Sequence, residues 1–231
     1  MFSSFIPHIE WLAIAYYPGQ IARCRFSVAA YRDEMFLLAG INFPEHLTSA
    51  VAKRRAEYLA GRYLARQALA TQGHHGFTLL RGEDRAPLWP QGIVGAISHN
   101  VDTALCAVHH ASGMEGVGID VETLMPAKRA EDLWSGIISE QEYRWLRQQP
   151  QAFGQLLTLV FSAKESLFKA LYPQVRCYFD FLDARFSKLD MQQQTFELEL
   201  LKTLTPQCHA GRRFHGHFLL QGDTVTTLIH C

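Results

Sequence analysis

Three stretches of this chain carry side chains whose types and spacing could do chemistry. In Gly118-Ile119-Asp120-Val121-Glu122, two carboxylates stand one residue apart. On a strand such residues face the same way, so Asp120 and Glu122 project together. Two neighbouring anions repel unless a cation lies between them, and hard oxygen donors of this kind suit Mg²⁺ with its waters and a substrate phosphate. Alone, the pair reads first as a solvated strand edge beside a turn. In Phe161-Ser162-Ala163-Lys164-Glu165-Ser166-Leu167-Phe168-Lys169-Ala170, Glu165 and Lys169 share one face of a predicted helix, with Ser162 nearby and an apolar stripe opposite. Alone, that is an exposed pair contributing about 0.3 kcal/mol.

The third stretch is basic. Arg54 falls on a helical seam between Val51 and Tyr58, where an apolar residue is expected, which points to a buried or ligand-facing guanidinium. Arg62 lies eight residues on, offset by about 80° and about 12 Å along the axis, a span that suits an extended ligand with two phosphate groups. Arg62 is also seven residues from Arg55, and with Lys53 and Arg66 the set reads equally as a solvated basic face. Ser98 and His99 end a predicted strand that follows a loop carrying Arg85. With 11 histidines most must be structural; His74-His75, His109-His110 and His215/His217 lack the third ligand and spacing of a zinc site.

The elements that must position these groups follow from periodicity and punctuation. Pro44 and Gly73 bracket a predicted helix over 45–72, with Leu47, Val51, Tyr58, Ala65 and Leu69 as its stripe. Residues 82–90 form a loop by composition. The runs 93–99, 103–110 and 117–122 read as three strands of one small antiparallel sheet, joined by turns at 100–102 and 111–114. Helices are expected over 131–148 and 153–171, the second with Phe153, Leu156, Leu157, Val160, Leu167 and Leu171 on one stripe, and the alternating tail reads as strands. The order indicates a mixed α/β (α+β) class and not a doubly wound parallel sheet.

Composition narrows the function. The 231 residues carry Lys+Arg 22 against Asp+Glu 22, a balance that argues against a general nucleic-acid binder. Five scattered cysteines without a C-x-x-C pair read as reduced thiols, hence a cytoplasmic protein. The N-terminal MFSSFIPHIEWLAIAYYPG lacks a basic leader region and does not read as a signal peptide. No run reaches the ~18–20 apolar residues of a membrane span, which leaves peripheral membrane contact open.

The order of the motifs is more specific than any one of them. Lys53-Arg54 and Gly61-Arg62 on a helix, Arg85-Ala86-Pro87-Leu88-Trp89-Pro90, Ser98-His99, Gly118-x-Asp120-x-Glu122 and Phe161-Ser162-x-Lys164-Glu165-Ser166-x-x-Lys169 together resemble the 4′-phosphopantetheinyl transferases of the surfactin-type class. The wording of these segments is similar to the enterobactin synthase component D branch, and the resemblance covers 36–182. It implies two pseudo-symmetric halves, 1–115 and 116–231, each a small mainly antiparallel sheet with a long helix. It implies transfer of the phosphopantetheine arm of coenzyme A, a substrate, to a serine of an apo carrier domain, with release of adenosine 3′,5′-bisphosphate. Siderophore biosynthesis is the setting the branch suggests.

Residue by residue, the resemblance makes Asp120, Glu122 and Glu165 ligands of Mg²⁺, with Mn²⁺ as the alternative ion. Glu165 is the first choice for the general base, with Asp120 or a metal-bound water also in contention, and Lys169 contacts the pyrophosphate. Arg54, Arg62, Arg85, Ala86 and Pro87 match coenzyme A-binding positions, and Ser98 and His99 match the pair near its 3′-phosphate. Some relatives place a lysine directly before the proline where this chain has Ala86. Partners are carrier domains of non-ribosomal peptide, polyketide or fatty acid synthases, toward which Lys128, Arg129 and Arg144 could form a basic rim; the pseudo-dimeric halves imply a monomer. Two other readings compete: another Mg²⁺-dependent phosphoryl-transfer enzyme such as a nuclease, and a non-catalytic coenzyme A-binding module.

Overall fold

A computed structural model describes residues 2–111 and 115–231, and the chain divides into two units, Met1–Gly113 and Met114–Cys231, each with its own apolar core. The first unit runs α1 (Phe2–Phe5), β1 (Glu10–Leu12), β2 (Gln20–Arg25), α2 (Met35–Leu38), α3 (Ala52–Thr71), β3 (Leu80–Arg81), β4 (Pro87–Leu88), β5 (Ile93–His99) and β6 (Thr103–His110). Its sheet is antiparallel in the order β1-β2-β6-β5, and β3 and β4 form a separate two-stranded ladder. Helix α3 packs on β6 and β2 through a buried face of mostly small residues, Ala56, Leu59, Ala60, Leu64, Ala65 and Ala68. Small side chains there let helix and sheet approach closely.

The helix expected over 45–72 starts later. Pro44 caps a short 3₁₀ turn, Glu45–Leu47, and α3 begins only after Val51, whose backbone is extended and which is 70% exposed. Val51 therefore does not belong to the apolar stripe. The seam on which Arg54 was expected to lie is absent, because a seam exists only where the backbone is already helical.

The second unit runs β7 (Val117–Thr123), α4 (Ala127–Leu133), α5 (Glu140–Leu146), α6 (Phe153–Val175), β8 (Ala184–Asp190), β9 (Thr195–Leu200), β10 (Arg213–Gln221) and β11 (Thr224–His230). All pairings are antiparallel in the order β7-β11-β10-β9-β8. Strands β5 and β6 form the expected hairpin, its turn held by the Asn100 side chain, which accepts from the N–H groups of Asp102 and Thr103. The third run does not join them: β7 pairs with β11, more than a hundred residues later. Consecutive strands pair about two-thirds of the time, and here the chain begins a new unit instead. The turn expected at 111–114 lies outside the described residues at 112–114.

The helix expected over 131–148 is two short helices. Ser139 starts the second with a capping box: its hydroxyl accepts from the Glu142 N–H at 3.2 Å, while Glu142 Oε2 accepts from the Ser139 N–H at 2.8 Å. The Ser139-Glu140-Gln141-Glu142 sequence carries that signal. Helix α6 then lies on β7, and glycine makes this possible. A Cβ at Gly118 would collide with the Ser166 carbonyl oxygen, and one at Gly116 with that of Ala170. The fold is thus mixed α/β with antiparallel sheets and helices.

Candidate active site

In the second unit, Gly118, Asp120 and Glu122 occupy alternate positions of β7 and face α6. The contact at Gly118 brings the α6 backbone onto the strand and sets Lys169 beside Asp120. Lys169 Nζ donates to Asp120 Oδ1 at 2.6 Å and to the Ile119 carbonyl at 3.2 Å. Asp120 is buried, with its side chain 4% exposed. The i,i+4 pair expected between Glu165 and Lys169 is not what the helix uses. Lys169 turns to the strand, and Glu165 makes no hydrogen bond or ion pair with the described residues.

The polar face expected around Ser162 is not solvated. Ser162 and Ser166 are fully buried and bond Thr227 on β11: Ser162 Oγ meets Thr227 Oγ1 at 2.9 Å, and Ser166 Oγ donates to the Thr227 carbonyl at 3.1 Å. A wider buried arc than the apolar stripe alone suggests therefore surrounds α6. Burial raises the Glu165 carboxyl above its usual value, with Asp120 adding to the shift and Lys169 opposing it. Burial also pushes Glu122 up to about 7, reinforced by Asp120 and Glu165 and opposed by Lys169 and Arg129.

Asp120 and Glu122 on one face of β7 and Glu165 on the helix packed against that strand put three carboxylates in one electrostatic neighbourhood. Among the described residues no three Asp, Glu, His or Cys side chains form a ready-made metal cage. The donor set nevertheless fits a hard divalent cation. Mg²⁺ characteristically uses one or two carboxylates and completes its shell with water and substrate oxygens, and the excess of negative charge over Lys169 and Arg129 is the surplus such an ion would offset.

The first unit holds the opposite charge. A cavity of about 470 Å³ is lined by Arg54, Arg62, Arg81 and Arg85, with His46 and His99 beside them and Glu57 the one acid. Arg62 is only 8% exposed and its Nε has no hydrogen-bond partner; its guanidinium lies 4.8 Å from the Tyr58 ring. Arg62 also lines a second cavity of about 320 Å³, together with His46, Tyr58 and Arg81. A buried, unpaired guanidinium is costly, and an anion that reaches it recovers that cost.

Arg54 differs from this picture of a buried cation. Its side chain is 53% exposed, and Nη1 lies 2.9 Å from His99 Nε2 and 3.4 Å from Glu57 Oε2. It reaches the cavity from the rim, whereas Arg62 sits inside it. Arg85 occupies a left-handed backbone position, φ 70, in the turn between β3 and β4, closed by Arg85 N–H to Gly82 O at 3.0 Å and Gly82 N–H to Ala86 O at 2.8 Å. A non-glycine residue there carries about 1 kcal/mol of strain, and the turn aims Arg85 at the cavity. Pro87 lines the same wall, while Ala86 contributes backbone to the turn. His99 lines the cavity; Ser98, its buried neighbour on β5, faces the other way.

Sequence reasoning missed Glu57, Tyr58, His46 and Arg81. Glu57 lies three and four residues after Arg54 and Lys53, and Tyr58 four before Arg62, so helical spacing carried a signal for both. Arg81 becomes visible only once the β3–β4 ladder places it opposite Pro87. Of the three residues expected to form a basic rim, Arg144 is tied to Glu140 at 3.0 Å, while Lys128 and Arg129 lie exposed on α4. Burial pushes the Cys24 thiol up to about 12 and raises Cys106 as well, so neither is a reactive thiolate. Among the described residues no helix is long and apolar enough to cross a membrane.

Comparison with known proteins follows the same division. The family profile described as 4′-phosphopantetheinyl transferase N-terminal domain matches residues 43–109, and that of the 4′-phosphopantetheinyl transferase superfamily matches 116–226, well past the last motif at 169. Enterobactin synthase component D of Salmonella typhi is 36% identical over 188 residues, 80% of this chain and 76% of that protein. The 4′-phosphopantetheinyl transferase Npt of Nocardia iowensis is 32% identical over 182 residues, 78% of this chain and 75% of that protein. A solved structure of Thermotoga maritima holo-[acyl-carrier-protein] synthase overlaps 50% of this chain and 61% of that one at 21% identity, with a TM-score of 0.37, too loose to carry an argument. The motifs and the matches agree on one assignment: this chain belongs to the 4′-phosphopantetheinyl transferase superfamily and is a transferase enzyme.

Proposed function

We propose that the protein moves the 4′-phosphopantetheine group of coenzyme A to a serine hydroxyl of an apo carrier domain and releases adenosine 3′,5′-bisphosphate. The observation that carries this reading is Arg62, a buried guanidinium with an unpartnered Nε on the wall of an arginine-lined cavity. That charge calls for a polyanion, and coenzyme A, with a pyrophosphate and a separate phosphate monoester, supplies one. Arg54, Arg62, Arg81 and Arg85 bind and orient its phosphates, with His99 held against Arg54.

The reaction forms a bond from the carrier serine Oγ to phosphorus and breaks the phosphoanhydride, and the serine proton must leave. Glu165 accepts it: the carboxylate makes no hydrogen bond or ion pair with the described residues, and burial raises its affinity for a proton toward the working range of a general base. Lys169, held on Asp120, presents a fixed cation to the leaving phosphate. Asp120, Glu122 and Glu165 would hold Mg²⁺, or Mn²⁺ in its place. Bound there, the ion supplies charge stabilisation to the pyrophosphate oxygens. The carrier belongs to a non-ribosomal peptide, polyketide or fatty acid synthase, and the similarity to enterobactin synthase component D favours the peptide and aryl carriers of siderophore assembly. The enzyme works as a cytoplasmic monomer.

One assay tests the reading. The protein, coenzyme A, Mg²⁺ and a panel of apo carrier domains are incubated, and each carrier is weighed. A carrier will gain one phosphopantetheine group, and Glu165→Ala and Asp120→Ala will reduce the rate by a factor on the order of 10²–10⁴ with the fold retained. Unchanged carrier masses across the panel would overturn the assignment, and parent rates in both variants would misplace the site.

A further inference from the structure

The residue before Glu165 is a lysine that the proposed chemistry does not use. Lys164 is buried, its side chain 1% exposed, and its Nζ donates to the Ile137 carbonyl at 2.9 Å and pairs with Glu142 Oε1 at 3.0 Å. Glu142 is 4% exposed and gathers donors from two further places. Its Oε1 accepts from the Phe186 N–H of edge strand β8 at 2.8 Å, and its Oε2 from the Ser139 N–H and hydroxyl at 2.8 and 2.9 Å. One ion pair thus ties α6 to α5, to the chain before it and to the sheet edge.

Such a pair is an inefficient stabiliser. Removing two charges from water costs about as much as their attraction returns, and an apolar pair of equal volume often does as well. Placement gives the pair another use. Over about two turns, α6 is gripped on two opposite faces: Ser162 and Ser166 by Thr227 and Lys169 by Asp120 and Ile119 on the one, and Lys164 by Glu142 and Ile137 on the other. Glu165 lies within this grip and makes no such contact itself. Its carboxylate stands about 5–6 Å from the helix axis, so a roll of about 10° moves it by about 1 Å. A displacement of that size at a reacting group can reduce a rate by about a hundredfold.

We propose that Lys164 is a positioning residue, whose buried pair with Glu142 fixes the roll of α6 and so the location of the Glu165 carboxylate. This rests on the role given to Glu165 above. The test is the double variant Lys164→Met/Glu142→Gln, which removes both charges at nearly constant volume, assayed beside the parent with coenzyme A and an apo carrier. The melting temperature will stay within a few degrees of the parent, KM for coenzyme A within about twofold, and kcat will fall about ten- to a hundredfold. A purely structural pair would instead lower Tm, or reduce the active fraction, without this split. A second double variant, Lys164→Gln/Glu142→Gln, keeps a donor for the Ile137 carbonyl without stranding a buried charge and will recover part of the lost kcat. A folded Lys164→Met/Glu142→Gln variant with kcat within twofold of the parent overturns the proposal. Should that double variant fail to fold, Lys164→Gln/Glu142→Gln decides: a severalfold lower kcat at unchanged KM supports the positioning role, and the parent's kcat overturns it. A parent that modifies no carrier overturns the role of Glu165 as well, which separates the two failures.

Discussion

The two units use one long helix on one antiparallel sheet to opposite electrostatic ends. In the first, α3 carries arginines at the edge of its buried face, and Arg62 is buried on the cavity wall with its Nε unpartnered. In the second, α6 carries Lys169 against a buried aspartate, and the surplus charge around it is negative. The same architecture therefore stores an unbalanced cation in one place and crowded carboxylates in the other. Each imbalance costs stability in the free protein, a cost that a ligand of the opposite sign would relieve: a phosphate for the first, a cation for the second. Removal of one cation from the long helix, the half-buried Lys169 or the buried Arg62, will therefore have opposite consequences for stability in the two units.

The largest effect is expected in the second unit. Lys169→Met leaves Asp120 buried without its ammonium and will destabilise the protein by about 3 kcal/mol, since stranding one member of a buried pair is far worse than never having had it. Transfer will fall with it. In the first unit Arg62→Met removes a charge that has no ion-pair partner. The free protein will gain about 1 kcal/mol in chemical denaturation, while calorimetry will show coenzyme A binding weaker by about ten- to a hundredfold. A loss of stability in Arg62→Met equal to that in Lys169→Met would show that Arg62 has a countercharge after all, and the contrast between the units would fail.

How much of this was legible in the sequence follows the range of the interactions. The hairpin of β5 and β6, the long helix α6 and the α/β class rest on local periodicity and turn residues such as Asn100, and these were readable. The partner of β7 was not, because β11 lies a hundred residues away and the pairing register leaves no mark near residue 117. The start of α3 was displaced because Pro44 and Gly73 bracket a helix and a separate 3₁₀ turn together. At the candidate site, residue types picked out the arginines that line the first unit's cavity and the acids on the β7 face toward α6, yet side-chain burial differed from the sequence reading. Arg54 reads as a buried or ligand-facing guanidinium and stands exposed on the cavity rim, whereas Arg62 is the buried one. Ser162 reads as solvated and is fully buried, bonded to Thr227. Side-chain burial depends on what packs from elsewhere, and a single helix face cannot report it.

The smallest effect separates crowding from simple burial at Glu122. Its carboxyl is pushed up to about 7 by burial and by Asp120, from an unfolded value near 4.5. Between those values the folded protein holds a proton that the unfolded chain has released. Stability contributed at this position is therefore present at low pH, declines as pH rises from about 4.5 to 7, and is fully lost above that. Gln in its place never ionises. Glu122→Gln will match the parent in metal-free denaturation near pH 4.5 and exceed it at pH 8 by about 1 kcal/mol, the partial exposure of the group having reduced the effect. Added Mg²⁺ at pH 8 will raise the melting temperature of the parent more than that of the variant, because the variant has lost the charge the ion relieves. A stability difference that stays flat from pH 4.5 to 8 would show that Glu122 titrates as an ordinary surface acid, and the second unit would then hold no surplus of negative charge for a cation to balance.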